Sequence, residues 1–198
     1  MYTYKHLTPE EREKLVEERI RRGFPPHAPP HPFRGERFYF LTAACYYHQT
    51  LLSQPHRRRE ILREIIPFEI KGAVELRAWV ILENHYHLLV RIREYKAVST
   101  LFNMVHGRTS YRWNTEDRRR GRKVWYRYTD RAIRSDRHYY ASLNYIHYNP
   151  IKHRVARSPY EWQESSVHWY RKYYGRDWLN ELWATYPVLD YGKNWDEF

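Results

Sequence analysis

The chain has 198 residues, enough for one domain with extensions and a real core. Its net charge is +12 and it carries 20 Tyr and 8 Trp; arginine forks suit phosphate and spare aromatic rings suit unpaired bases, so nucleic acid leads acidic membranes as the partner class. One cysteine, Cys45, excludes an internal disulfide framework and a Cys-rich zinc module. No apolar run reaches membrane-span length, and the N-terminus lacks the basic-then-apolar layout of a signal peptide, so the expected location is the cytoplasm.

In chain order, Thr8-Pro9-Glu10-Glu11 predicts a helix start, with Thr8 as cap and Glu11 completing a capping box. That helix should run to Gly23 as a charged arm, and the five prolines of residues 24–32 predict an extended linker. Arg37 to Cys45 reads as a first strand, and Pro55 to Ile66 as a helix with Ile61, Leu62, Ile65 and Ile66 on one stripe. Leu76 to Leu82 and His85 to Ile92 read as two strands joined by a turn at Glu83-Asn84. A second helix is expected from Ala97 to about Trp113, with Val98, Leu101, Val105 and Met104 facing inward. Val124 to Ile133 reads as a fourth strand, followed by a helix capped at Ser135 or Asp136 and ending before Pro150. The order strand, helix, two strands, helix, strand, helix favours an α+β fold with helices packed on an antiparallel sheet. From Ser158 onward, an aromatic-rich tail should form short elements packing back on the domain.

Three constellations carry chemistry. His85 and His87 stand two apart on a strand, so both imidazoles project from one face, about 7 Å apart along it. Two neutral imidazoles aimed at one point make half of a metal site; the plain alternative is a hydrogen-bonded structural pair. Tyr145 and Asn149 stand one helical turn apart, beside a stripe of Tyr139, Leu143 and Ile146 that should be buried. They suit a nucleophile and a metal ligand, or else a packing aromatic and a cap before Pro150. Basic residues Arg108, Arg112, Arg118, Arg119, Arg120, Arg122, Lys123, Arg127 and Arg134 are interleaved with Tyr111, Trp113, Trp125, Tyr126 and Tyr128. That is the layout of a groove that follows a phosphate backbone and stacks bases, with a solvated charge run as the alternative. A weaker possibility joins Cys45 and His48 to the two histidines as a structural zinc site. There is no P-loop, dinucleotide glycine fingerprint or Gly-x-Ser-x-Gly elbow.

WVILENHYHLLV, followed by VWYRYTDRAIRSDRHYYASLNYIHYNPIKHRVARSPYEW, resembles the REP-associated tyrosine transposases of bacteria, single-tyrosine members of the HUH nucleases (His, bulky hydrophobic, His). The similarity covers roughly Arg37 to Tyr170. It implies a ferredoxin-like antiparallel sheet with both histidines on a central strand, and Tyr145 as the nucleophile. It further implies that Asn149 completes a Mg²⁺ or Mn²⁺ site with His85 and His87. The expected partner is single-stranded or hairpin DNA of repetitive extragenic palindromes, handled by a monomer or homodimer near the nucleoid. Tyr86 stands where the family usually has an aliphatic residue, and is bulky enough to keep the role. The implied organisation is an N-terminal helical arm with its linker (1–36), a catalytic domain (37–157) and a C-terminal extension packing on it (158–198). The competing reading is a non-catalytic nucleic-acid-binding protein with a structural His pair.

Overall fold

The computed structural model describes residues 37–192 except 71 and 73, together with Thr8, Glu10, Glu11, Lys14 and Glu17. The chain divides into two compact units, Met1–Arg34 and Gly35–Phe198. In the first, the expected capping box is present: the Thr8 N–H donates to Glu11 Oε2 at 2.8 Å and the Glu11 N–H to Thr8 Oγ1 at 3.2 Å. The rest of the expected arm helix and the proline linker lie outside the described residues.

The second unit runs β1 (Arg37–Ala44), α1 (Pro55–Ile70), β2 (Val74–Ile81), β3 (His85–Ile92), α2 (Tyr95–Glu116), β4 (Thr129–Ala132), α3 (Asp136–Lys152), α4 (Val167–Tyr174) and α5 (Arg176–Thr185). The four strands form one antiparallel sheet in the order β2-β3-β1-β4. This is the expected α+β, ferredoxin-like arrangement, with the histidine strand inside the sheet. Alternation along β3 sorts its side chains: Tyr86, Leu88, Val90 and Ile92 enter one core with Ile61, Ile65, Val98, Leu101, Phe102 and Val105 from α1 and α2. Leu89 enters a second core with Phe40, Leu143, Tyr145 and Ile146, closed by Tyr170, Leu179 and Leu182 of α4 and α5. Both faces of the sheet are therefore covered, which is why β3 reads as a nearly unbroken apolar run rather than an alternating one.

The chain after α3 also protects an edge. Glu164 to Ser166 lie against β2, with the Ile81 N–H donating to the Glu164 carbonyl and the Ser166 N–H to the Trp79 carbonyl, both at 2.9 Å. This pairing uses backbone groups that an open edge would leave available to another chain. Glu164 is held in turn by Arg58 of α1 (Nε to Oε2, 2.9 Å), and both side chains are buried.

Several expected boundaries change. α1 continues through Pro67 to Ile70, and α3 continues through Pro150 to Lys152, two residues past the proline expected to end it. Proline keeps helical φ and costs one N–H, and Pro150 is itself buried. Ser135 is the cap of α3, accepting from the His138 N–H. β4 is only four residues long; of the preceding stretch, Trp125 makes an isolated bridge to Cys45. Ile66 does not join the α1 stripe and is exposed, Met104 and Tyr139 are half-buried, and Phe102 is an unanticipated core residue.

Candidate active site

β3 and α3 bring together the four residues singled out in the sequence. His85 Nε2 lies 3.3 Å from Asn149 Oδ1, and the His85 and His87 rings stand edge to face with centroids 4.9 Å apart. The Tyr145 ring packs against His87 at 5.6 Å and Phe40 at 5.8 Å. His85, His87, Tyr145 and Asn149 are all buried. The histidine orientation is fixed from behind. Thr42, the β1 neighbour of His87, places its Oγ1 2.8 Å from His87 Nδ1, and Asn84 Oδ1 lies 2.7 Å from His85 Nδ1. Each ring thus offers its far nitrogen, Nε2, to the site, as a metal-binding histidine does when a partner holds the other nitrogen.

These donors fit a small divalent cation. Ligands at right angles on Mg²⁺ stand about 3 Å apart, close to the 3.3 Å between His85 Nε2 and Asn149 Oδ1. The Asn149 Nδ2 atom is buried with no hydrogen-bond partner among the described residues. The metal-capable atom of this amide is Oδ1, which faces His85, while the unpaired N–H can donate only to an acceptor such as a phosphate oxygen. The zinc alternative does not assemble. Cys45 lies in the core on the other face of the sheet, where burial pushes its thiol up to about 12. No group of three or more His, Cys, Asp or Glu suited to a metal occurs among the described residues.

A fifth residue completes the site. Lys152 Nζ donates to the Tyr145 phenol oxygen at 2.7 Å and to the Gly192 carbonyl at 3.1 Å. Tyr145, Asn149 and Lys152 follow the i, i+4, i+7 spacing of one helix face, and only a helix continuing through Pro150 places the lysine there. Residues 191–192 lie over the nucleophile candidate. A Cβ built on Gly192, whose φ is +75°, would overlap Tyr145 ring atoms Cε2, Cζ and Cδ2. Tyr191 anchors this segment through a short hydroxyl contact with Ser142 Oγ and a 3.0 Å contact with His138 Nε2; burial pushes its own hydroxyl up to about 12. Together with Phe40, His87 and Lys152, this segment leaves the Tyr145 side chain fully buried.

The basic groove residues divide. Arg108 and Arg112 pair with Glu64, and Arg112 also with Glu60 at 2.7 Å, while Arg122 pairs with Asp117 at 2.7 Å. All nine basic groove residues except Arg122, which is half-buried, are exposed, the paired Arg108 and Arg112 included. Of the interleaved aromatics, Trp113 and Trp125 are buried in the core and unavailable for stacking, and Tyr128 is stacked on Phe102 at 4.0 Å. Tyr111 is exposed and Tyr126 half-buried.

The sheet order and the helix crossing its histidine face define an α+β domain of the transposase type. The chain belongs to the IS200-like transposase family, whose model matches residues 39–149, from β1 to the site asparagine. Among solved structures, a REP-associated tyrosine transposase bound to a REP hairpin shares 19% identity and a TM-score of 0.61, over 75% of this chain and 87% of that one. A protein of Deinococcus radiodurans R1 assigned as a transposase shares 16% identity over 55% of this chain and 87% of that one, with a TM-score of 0.39. No curated protein matches the chain. Among the described residues, no helix is long and apolar enough to cross a membrane.

Proposed function

We propose that this chain is a tyrosine-dependent nuclease and strand transferase of the REP-associated branch, cutting single-stranded DNA at the foot of hairpin-forming repeats. The observation that carries this reading is the convergence of Tyr145, His85, His87 and Asn149 from two distant segments, with Lys152 on the phenol oxygen. Family membership supports the reaction class, and the geometry of the site supports the roles proposed for these residues.

Tyr145 attacks the scissile phosphorus in line. The bond from phosphorus to the 3′-oxygen breaks, the phenol loses its proton, and the departing oxygen gains one. The products are a 5′-phosphotyrosine and a free 3′-hydroxyl, and a 3′-hydroxyl can later displace Tyr145 and rejoin strands. Lys152, which donates to the phenol oxygen, stabilises the phenolate both as nucleophile and as leaving group, because a hydrogen bond to the ionised form is the stronger one. His85, His87 and Asn149 would hold Mg²⁺ or Mn²⁺, which supplies Lewis-acid charge to a phosphate oxygen. Exposed Arg118, Arg119, Arg120, Lys123, Arg127 and Arg134 are suited to the backbone of the bound strand.

The test is incubation with labelled single-stranded repeat DNA and Mn²⁺, followed by a denaturing gel and peptide mapping. A covalent adduct on Tyr145, absent from Tyr145→Phe, is expected. Cleavage undiminished in Tyr145→Phe refutes Tyr145 as the nucleophile, and binding without any cleavage or adduct in the wild type leaves the non-catalytic binding reading.

A further inference from the structure

Immediately after β1 the chain adopts a conformation that folding alone does not reward. Residues Tyr46–His48 form one 3₁₀ turn in which Tyr47 and His48 both stand in the left-handed region, with φ of 52° and 50°. Such backbone is strained for residues with a Cβ, more so for two in succession, and survives only where the surroundings hold it. Here the Tyr46 N–H donates to the Val124 carbonyl at 2.7 Å, and Asn84 Nδ2 to the His48 carbonyl at 3.3 Å. The result is to present a tyrosine to solvent: Tyr47 is 70% exposed.

The rings around it are arranged as a surface. Tyr46 packs on Tyr47 at 4.4 Å and on Tyr126 at 4.9 Å, and His48 lies 5.6 Å from Tyr126. Lys123 Nζ sits 4.4 Å from the Tyr46 centroid and 5.9 Å from that of Tyr126. Planar rings beside an ammonium group match a base beside its phosphate. Base faces are available in this way only on an unpaired strand.

Position ties the surface to the site. Ala44, two residues before the turn, pairs with His85 across the sheet, and the Cys45 N–H donates to the Asn84 carbonyl at 2.7 Å. The Asn84 side chain contacts both the His48 carbonyl and His85 Nδ1. One amide therefore separates the strained turn from a candidate metal ligand. We propose that the turn Tyr46–His48, with Tyr126 and Lys123, is a stacking platform for an unpaired base on the DNA strand flanking the scissile phosphate. The proposal rests on the reading that this site handles single-stranded DNA.

The full-length protein is tested by fluorescence anisotropy with a labelled oligonucleotide containing a hairpin and its single-stranded flank, and with copies in which each flank base is replaced in turn by an abasic sugar. One abasic position should weaken wild-type binding at least about fivefold, the lower end of base–aromatic stacking. Tyr47→Ala should show a comparable loss on the intact strand and no added loss at that abasic position, while Tyr47→Trp restores affinity. Lys123→Ala should lower the salt slope by about one, as loss of a phosphate contact does. Wild-type affinity in Tyr47→Ala, or losses that add independently at every position, overturns the proposal. The Tyr145 adduct is scored separately with the same oligonucleotide. Its absence alone defeats the proposed chemistry and leaves the stacking result standing.

Discussion

Lys152 reaches the Tyr145 phenol oxygen, at 2.7 Å, from two turns further along the same helix. A free tyrosine ionises near pH 10, so an unassisted phenol is a weak nucleophile at neutral pH. Lys152→Ala should slow single-turnover cleavage and rejoining by roughly 100- to 1000-fold at pH 7.5, the range for removing one preorganised donor from a developing charge. The deficit should shrink as pH rises toward 10, and Lys152→Arg should recover part of the rate. A pH-independent loss would mean that the lysine only supports packing.

The histidine rings are held by Thr42 and Asn84, and this makes a metal prediction that needs no DNA. Thr42→Val removes the partner of His87 Nδ1 with little change of volume. Mn²⁺ affinity, measured by titration calorimetry, should fall roughly 10- to 100-fold, the usual effect of losing a group that orients a ligand. His85→Ala should abolish binding at this site. Equal affinity in wild type and His85→Ala would place the metal elsewhere.

The sheet and its helices were legible because their patterns are local: β3 was bounded residue for residue at His85 and Ile92. That Tyr145 and Asn149 share a helix face was legible because i, i+4 spacing survives any uncertainty about helix ends, whereas the roles expected of them came from the family resemblance and not from the spacing. Lys152 was not, because a helix expected to stop before Pro150 leaves no reason to extend the spacing to i+7. The same rule shortened α1 at Pro67. In both helices the proline falls in the last turn, where it keeps helical φ and removes only one N–H. Gly192 lies 47 positions from the ring it covers, and no periodicity links them. The aromatic interleaving was misleading for a physical reason: Trp113 and Trp125 are spaced like groove residues, but the core claims them.

Gly192 fits over Tyr145 only because it lacks a side chain. Gly192→Ala should dislodge residues 191–192 through overlap with the ring and through strain at positive φ. Tyr145 should then become reactive toward tetranitromethane, against near-inertness in the wild type, where the residue is fully buried. Mass mapping of nitrated peptides reads this directly. An unreactive Tyr145 in Gly192→Ala would mean that other residues keep it covered.

Arg58 and Glu164 form a buried ion pair at 2.9 Å that also satisfies the Leu52 and Ser53 carbonyls and lays the guanidinium on the Trp162 ring at 4.6 Å. It fastens the segment covering the β2 edge. Glu164→Ala leaves a buried guanidinium uncompensated and should cost about 3–5 kcal/mol in urea unfolding. Arg59 also lies 3.8 Å from Glu164 but is largely exposed, so Arg59→Ala should change stability by less than about 1 kcal/mol.

Acid should destabilise the protein through two histidines outside the site. Burial pulls both His106 and His147 down to about 3. His106 sits between Tyr86 Oη at 2.9 Å and the Trp125 ring at 4.5 Å, and His147 Nε2 lies 3.0 Å from Ser166 Oγ. In the unfolded chain each takes up a proton near pH 6.5, while in the folded chain each stays neutral until pH 3. Between these limits the unfolded state binds more protons, so stability falls as pH falls. At pH 5 the loss is about 2 kcal/mol for each histidine relative to pH 8. His106→Phe should remove its share of the slope in urea unfolding curves recorded from pH 8 to pH 4.5. A slope unchanged by that substitution would show that His106 takes up its proton without unfolding.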